Sequence, residues 1–275
     1  MTAFVPGGPP GRQRIETMTS EEFGRIAALL RAEAGIVLAP QKASMAHARL
    51  AKRMRALGLA SYREYCDFIE SRAGAAERRE MLNALTTNVT RFYREPHHFE
   101  ELRDAALPPL IEAARKGQPA RIWSAGCSTG EEPYTIAMTI LSLAQDANEL
   151  DIRILATDIN PLVVETGRRG VYPAEALEPA PKPLVGKYFQ RMAGDGGEDM
   201  LSARDPLRQL IVFRELNLMG PWPFSRSTWP VRAPLGMVTS SVRPSLKAIR
   251  RVVPRMASSR SISSRARTST PRGGG

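Results

Sequence analysis

Histidine and cysteine are scarce in this chain, with three of the first and two of the second in 275 residues. Cys66 and Cys127 supply neither a metal-binding cluster nor a disulfide framework, which points to a reduced compartment and no metal site. No apolar run approaches the ~20 residues that cross a bilayer. The N-terminal stretch MTAFVPGGPPGRQR has no apolar signal-peptide core. We therefore expect a cytoplasmic protein with no direct membrane insertion. The longest stretch without an acidic residue is C-terminal. Residues 221–275 hold eleven Lys and Arg and no Asp or Glu, so the whole net charge of +11 lies there, while residues 1–220 carry 28 charges of each sign. A neutral body argues against nucleic acid as a partner, because a nucleic-acid-binding fold carries its basic surface on the folded part.

What is present falls into two textures. Residues 1–18, rich in Gly, Pro and Arg at their start, read as a disordered tail. Thr19-Ser20-Glu21-Glu22 then opens a helix with capping residues and early acids, followed by Phe23, Ile26, Leu29 and Leu30 at helical spacing. A second helix is expected from Ala43 to Ala56, ending at Gly58. A third starts near Ser61, and a fourth runs from Ala75 to Thr86. Residues 19–85 are thus a small all-helical unit. Beyond it, Arg121–Ala125 and Ile152–Thr157 read as buried strands, with helices over Glu131–Ala144 and from Pro161 to Arg169. Strand, helix, strand, helix is the pattern of a parallel sheet that binds nucleotide-type ligands at the carboxyl ends of its strands. Residues 170–215 look irregular, and Leu210–Phe213 is a further strand candidate.

The first strand leads into Gly126-Cys127-Ser128-Thr129-Gly130, which matches the G-x-S-x-G pattern of serine hydrolases. A hydrolase triad of that type needs a histidine after the serine, and His47, His97 and His98 all precede Ser128. No Gly-Lys-Ser/Thr follows for a phosphate loop, and the nicotinamide spacing G-x-G-x-x-G is absent. What remains is a small-residue turn that lets the backbone approach a ligand. Asp158, at the end of the second strand, stands where such folds place the carboxylate that grips ribose hydroxyls. Glu131 and Glu132 suit a helix N-terminus on dipole grounds alone. Two carboxylates are poor company for a pyrophosphate and better company for a cationic nucleoside such as S-adenosyl-L-methionine.

The stretches LTTNVTRFYREPHHF (85–99), WSAGCSTGEEPY (123–134), Ala156-Thr157-Asp158-Ile159, Gly170-Val171-Tyr172 and Asn217-Leu218 closely resemble the CheR-type chemotaxis receptor methyltransferases. The N-terminal unit, through AGIVL (34–38) and RALGL (55–59), is similar to that family's N-terminal domain. The resemblance implies an α/β fold: a Rossmann-like methyltransferase sheet over residues 86–224, with an inserted β-subdomain at 170–215, preceded by the helical receptor-recognition domain. It implies transfer of methyl from S-adenosyl-L-methionine to glutamate side chains of chemoreceptors. It also implies cofactor contacts at Asn88, Thr90, Arg94, Glu132, Asp158, Asn217 and Leu218. Arg94, expected one helical turn beyond Thr90, would orient the acceptor carboxylate. Arg49 and Arg55, on the basic side of the second helix, would bind the receptor, whose glutamate-bearing helix is acidic. His97 and His98 would be structural residues following a motif helix. An acceptor glutamate has an ordinary pKa near ~4.3 and needs no general base to attack a sulfonium methyl.

The family pattern breaks after Asn217-Leu218. The expected strand of the form F-D-x-I-F-C-R-N-V and the Tyr beyond it are absent, replaced by a segment with eleven Ser, seven Pro, eleven basic residues and no acid. Ser227-Thr228-Trp229 is what codons for Phe-Asp-Val give one base out of register. We read 225–275 as a low-complexity basic tail translated out of frame, and we expect it to add no strand to the sheet. The loss of later strands would leave the sheet incompletely covered near Ile154 and Ile211. An alternative function follows, that of a catalytically inactive remnant that still binds receptor.

Overall fold

The computed structural model describes residues 15–86, 88–194 and 197–220, together with the backbone of 236–240 and 250–251. The helical unit comes first. In α1 (Ser20–Ala34) the Thr19 hydroxyl accepts from the Glu22 N–H while the Glu22 carboxylate accepts from the Thr19 N–H, a reciprocal cap. α1 ends at Gly35 and α2 (Ala43–Leu57) at Gly58, and Ser61 caps α3 (Tyr62–Glu70). α4 (Ala75–Leu85) completes the unit. Leu50 and Met54 of α2 are buried with Ile26, Tyr65 and Met81, so the apolar side of α2 faces the core. The basic side of α2 differs from expectation in one respect. Arg53 turns onto the buried Glu77 of α4, with Nη2 2.6 Å from Oε2, and the Tyr65 hydroxyl donates to the same carboxylate at 3.0 Å.

The segment expected as a motif helix is not one. Residues 88–95 form turns, and the helix begins only at Pro96, as α5 (Pro96–Glu101). Tyr93 and Glu95 have φ of +52° and +57°, which no helix tolerates, and Pro96 fixes the first helical position. His97 and His98 therefore open a helix rather than follow one. α5 runs through a wide turn at Leu102–Ala106 into α6 (Leu107–Arg115). Pro108 and Pro109 lack N–H donors, so the regular ladder cannot cross this point.

β1 (Ala120–Ala125), α7 (Glu131–Leu143), β2 (Ile152–Asp158) and α8 (Pro161–Arg169) follow as the sequence pattern predicts. The described residues of 171–208 form regular elements where the sequence read as irregular chain. β3 (Val171–Pro173), α9 (Lys182–Tyr188), β4 (Phe189–Ala193), β5 (Asp199–Ala203) and α10 (Asp205–Arg208) build an antiparallel sheet of order β3-β5-β4. Arg208 fastens this subdomain to α8 by donating to the Arg168 and Arg169 carbonyls and to the Ala203 carbonyl. β6 (Ile211–Glu215) returns the chain to the main sheet beside β2, in parallel, with Ile154 opposite Ile211 and Asp158 opposite Glu215.

β1 pairs in parallel with β2 from Ala120↔Ile152 to Ala125↔Thr157. The carboxyl ends of β1, β2 and β6 thus lie side by side. Ile122, Ile154, Ile211 and Phe213 pack on one face with α7 and Tyr134, while Trp123, Leu155 and Val212 pack on the other. Two expectations are corrected here. Ile154 is fully buried and Ile211 is 8% exposed, because the aromatic cluster around Tyr134 and Phe213 covers them. The C-terminal region also contributes to the sheet. β7 (Gly236–Ser240) pairs in parallel with the other edge of β1, and β8 (Arg250–Arg251) pairs antiparallel with β7, for an order β6-β2-β1-β7-β8. A buried β1 with one unpaired edge would strand its backbone N–H and C=O groups, and Met237-Val238-Thr239 is a β-favouring stretch. The rest of the expected 225–275 tail, and residues 1–14 of the N-terminal tail, lie outside the described residues.

Candidate functional site

The carboxyl end of β1 turns sharply, and the turn is held to β2. The N–H groups of Gly126 and Cys127 both donate to the Thr157 carbonyl. The next N–H, of Ser128, donates to Asp158 Oδ2 at 2.9 Å, and the Asn160 N–H donates to Oδ1 at 3.0 Å. Asp158 is thereby fixed in orientation, 8% exposed, at the strand end where the sequence placed it. Leu216, just past β6, donates its N–H to the Asp158 carbonyl, which brings Asn217 and Leu218 to the same corner.

Carboxylates dominate the electrostatics. Ser124 Oγ of β1 donates to Glu132 Oε1 at 2.6 Å, drawing the carboxylate back from the start of α7 towards the strand. Glu131 is buried, and its carboxylate accepts from Thr129 Oγ1 at 2.7 Å. Burial raises the Glu131 pKa above the ordinary carboxylate value, with the Thr129 bond acting in the opposite sense. Burial also lifts the Cys127 thiol well above its usual value, reinforced by the negative charges of Asp158, Glu132 and Glu131. Raised mainly by burial, this cysteine is an inert thiol, and the three carboxylates near it make the surroundings more hospitable to a cation than to an anion. Glu131, read from the sequence only as one of two acids at a helix N-terminus, is the more buried of the pair. Only its burial marks it, and burial at a helix start is not visible in sequence.

The segment 88–95 lies over the turn. Ser128 Oγ donates to the Asn88 carbonyl at 3.0 Å, and the Tyr93 N–H donates to Thr135 Oγ1 of α7 at 3.3 Å. Arg94 folds back on its own segment, with Nη1 donating to the Val89 carbonyl at 2.6 Å. Asn88, Thr90 and Arg94 are each partly accessible. Asn217 is doubly engaged. Its Nδ2 donates to the Glu33 carbonyl at the end of α1, 2.7 Å away, and its Oδ1 accepts from the Met219 N–H. Met219 sulfur lies against Gly35.

The two arginines of α2 part company. Arg49 Nη1 donates to the Ala84 and Thr86 carbonyls, at 3.2 and 2.8 Å, capping the end of α4 where the chain enters the site. Arg55 is exposed. Asn88, Glu132, Asp158, Asn217 and Leu218 are therefore brought around the ends of three adjacent strands, with Arg94 on the covering segment. Arg49 and Arg55 lie on the helical unit. Among the described residues no cluster of His, Cys, Asp and Glu could hold a metal ion, and no helix is long and apolar enough to cross a membrane.

Two family models match the chain. "CheR methyltransferase, all-alpha domain" covers residues 21–86, and "CheR methyltransferase, SAM binding domain" covers residues 88–228. The division between them falls at Thr87, between α4 and the segment over the turn. Three relatives are similar over most of their length. "Probable chemotaxis protein methyltransferase" of Rhizobium etli is 47% identical over 71% of this chain and 73% of its own. "Chemotaxis protein methyltransferase 2" of Pseudomonas aeruginosa is 41% identical over 80% and 75%. "Chemotaxis protein methyltransferase" of Escherichia coli is 37% identical over 82% and 78%.

Proposed function

The chain belongs to the CheR methyltransferase family, and from that premise we propose that it is a protein-glutamate O-methyltransferase acting on the cytoplasmic, glutamate-bearing helices of chemoreceptors. The observation that carries this reading is Asp158. Its two oxygens each accept one backbone N–H and retain further lone pairs. Two ribose hydroxyls fit that capacity. The carboxylates around Cys127 fit a ligand with a sulfonium and an ammonium, and they disfavour a phosphate. Bound S-adenosyl-L-methionine supplies an electrophilic methyl group on sulfur.

The chain's own residues then bind and orient. Asp158 holds the ribose, with Asn217 and Leu218 flanking it from β6. Asn88 and Thr90 would hold the methionine end, and Glu132 would add negative charge to that side of the site. Arg94 keeps guanidinium donors beyond the one committed to Val89, and these align the acceptor carboxylate. That carboxylate is already anionic at neutral pH. With S-adenosyl-L-methionine held there, this carboxylate would be the methyl acceptor, the product would be a neutral ester, and the cofactor's sulfur would keep the bonding pair. No proton moves, so the site's carboxylates need not act as bases. Alignment and partial exclusion of water supply the acceleration, up to about 7–11 kcal/mol for well-oriented reactants.

On the helical unit, Arg55 and the outward N–H groups of Arg49 offer a basic approach for an acidic receptor helix. The test is transfer of labelled methyl from S-adenosyl-L-methionine to a chemoreceptor cytoplasmic fragment, released by mild base as an ester would be. Cofactor binding without base-labile label on receptor glutamates would refute the proposed acceptor. Receptor binding with no cofactor binding at all would instead identify an inactive receptor-binding remnant.

A further inference from the structure

We propose that Ser128 is a positioning residue that sets the distance between the two halves of the cofactor site, and that this is the use of the serine in the G-x-S-x-G stretch. Three non-glycine residues have positive φ among the described residues: Tyr93, Glu95 and Ser128. All three lie in the covering segment or in the turn beneath it. Ser128 has φ +49° and is 5% exposed. A side chain in this conformation costs about 1–2 kcal/mol, which glycine avoids. The turn already places glycine on either side, at 126 and 130, yet carries serine here.

What the hydroxyl adds is a bridge. Ser128 Oγ donates to the Asn88 carbonyl across 40 positions of sequence, while its own N–H donates to Asp158 Oδ2. One residue therefore joins the segment assigned to the methionine end, the turn after β1 and the carboxylate assigned to the ribose. The hydroxyl proton is committed to a carbonyl, so the side chain is a strut and not a nucleophile.

The proposal rests on the S-adenosyl-L-methionine site assigned above, and its test separates the two. Ser128→Gly removes the hydroxyl, relieves the backbone strain and keeps the N–H to Asp158. In the cofactor-free protein, amide exchange across residues 88–94 is expected to speed up several-fold, with thermal stability equal to or above that of the parent. S-adenosyl-L-methionine should bind about tenfold more weakly, while adenosine, which lacks the methionine end, should bind as before. Ser128→Ala should show the same exchange and binding changes with lower stability, because it loses the bridge and keeps the strain. Unchanged exchange at 88–94 in Ser128→Gly would overturn the bridge. Faster exchange with equal weakening of both ligands, or of neither, would overturn the positioning role. If the parent chain binds neither ligand, the assigned cofactor site fails and the positioning role falls with it, while the exchange measurement still decides the bridge.

Discussion

Replacing Asp158 by Asn tests the centre of the site with almost no change of shape. The carboxylate accepts two backbone N–H groups, one on each oxygen. An amide has one acceptor oxygen, so either the Ser128 or the Asn160 N–H must face an NH2 group in a buried position. Leaving one buried donor without an acceptor costs about 1–3 kcal/mol. For a protein of this size that corresponds to a fall in Tm of roughly 2–12 °C. Cofactor affinity falls separately. Losing one charge-assisted bond to the ribose costs about 1.5–3 kcal/mol, or roughly a 10- to 100-fold rise in Kd. Calorimetric titration with S-adenosyl-L-methionine and a thermal scan of the free protein read the two effects independently. A lowered Tm with Kd within about twofold of the parent would refute the ribose role and leave Asp158 as a turn-holding residue only. An unchanged Tm would show that the turn does not depend on the paired N–H contacts.

The arginines of α2 should respond differently to substitution. Arg55→Glu is expected to slow receptor methylation, most at low salt, with Tm and cofactor Kd unchanged. Arg49→Glu should also lower Tm, by about 1–3 kcal/mol of stability, because it removes the donor to the Ala84 and Thr86 carbonyls; equal Tm values for the two variants would contradict this division. Glu131 has a raised pKa through burial, so its contribution to stability is fully present below its unfolded value near 4.5 and is lost as pH rises through the folded value. The Tm of Glu131→Gln should therefore gain on the parent as pH increases from about 4.5 upward, and a pH-independent difference between the two would show the burial effect to be absent. Gly130→Ala should destabilise by about 2 kcal/mol or more, since Gly130 has φ +98° and a Cβ there would lie 2.8 Å from the Tyr172 hydroxyl and 2.9 Å from Gly167 Cα. An unaltered denaturation midpoint would show that the turn can shift freely.

The helical unit was legible because its signals are local. Thr19 with Glu22, and glycines at 35 and 58, mark helix ends within a few residues of where they act. β1, β2 and α7 were legible for the same reason, as short apolar runs bounded by small residues. α6 was hidden by Pro108-Pro109 and by the wide turn before it. The antiparallel strands around Leu201 carry no strong alternation, and β3 finds its partner in β5 across 27 to 31 residues, so they read as irregular chain. Within the site, Asp158 was found by its place at a strand end. The partners of Arg49, Arg94 and Asn217 are backbone carbonyls, which every residue possesses and which no sequence pattern can mark. The strain at Tyr93 and Glu95 was invisible for a related reason, since neither residue type signals a positive φ.

The contact between Asn217 and Glu33 has a consequence in time. Among the described residues the apolar core of the helical unit draws on Ile15 to Leu85, so that core is complete in sequence long before the partner of Glu33 is made. The 132 residues that separate Leu85 from Asn217 take roughly 7–26 s to synthesise at ~5–20 residues per second. Throughout that interval the helical unit is a finished body at the end of a growing chain, and the end of α1 waits with a free carbonyl. The Asn217 contact can form only after β6 has been synthesised. The order of synthesis thus completes the helical unit well before its contact with the loop after β6 can form.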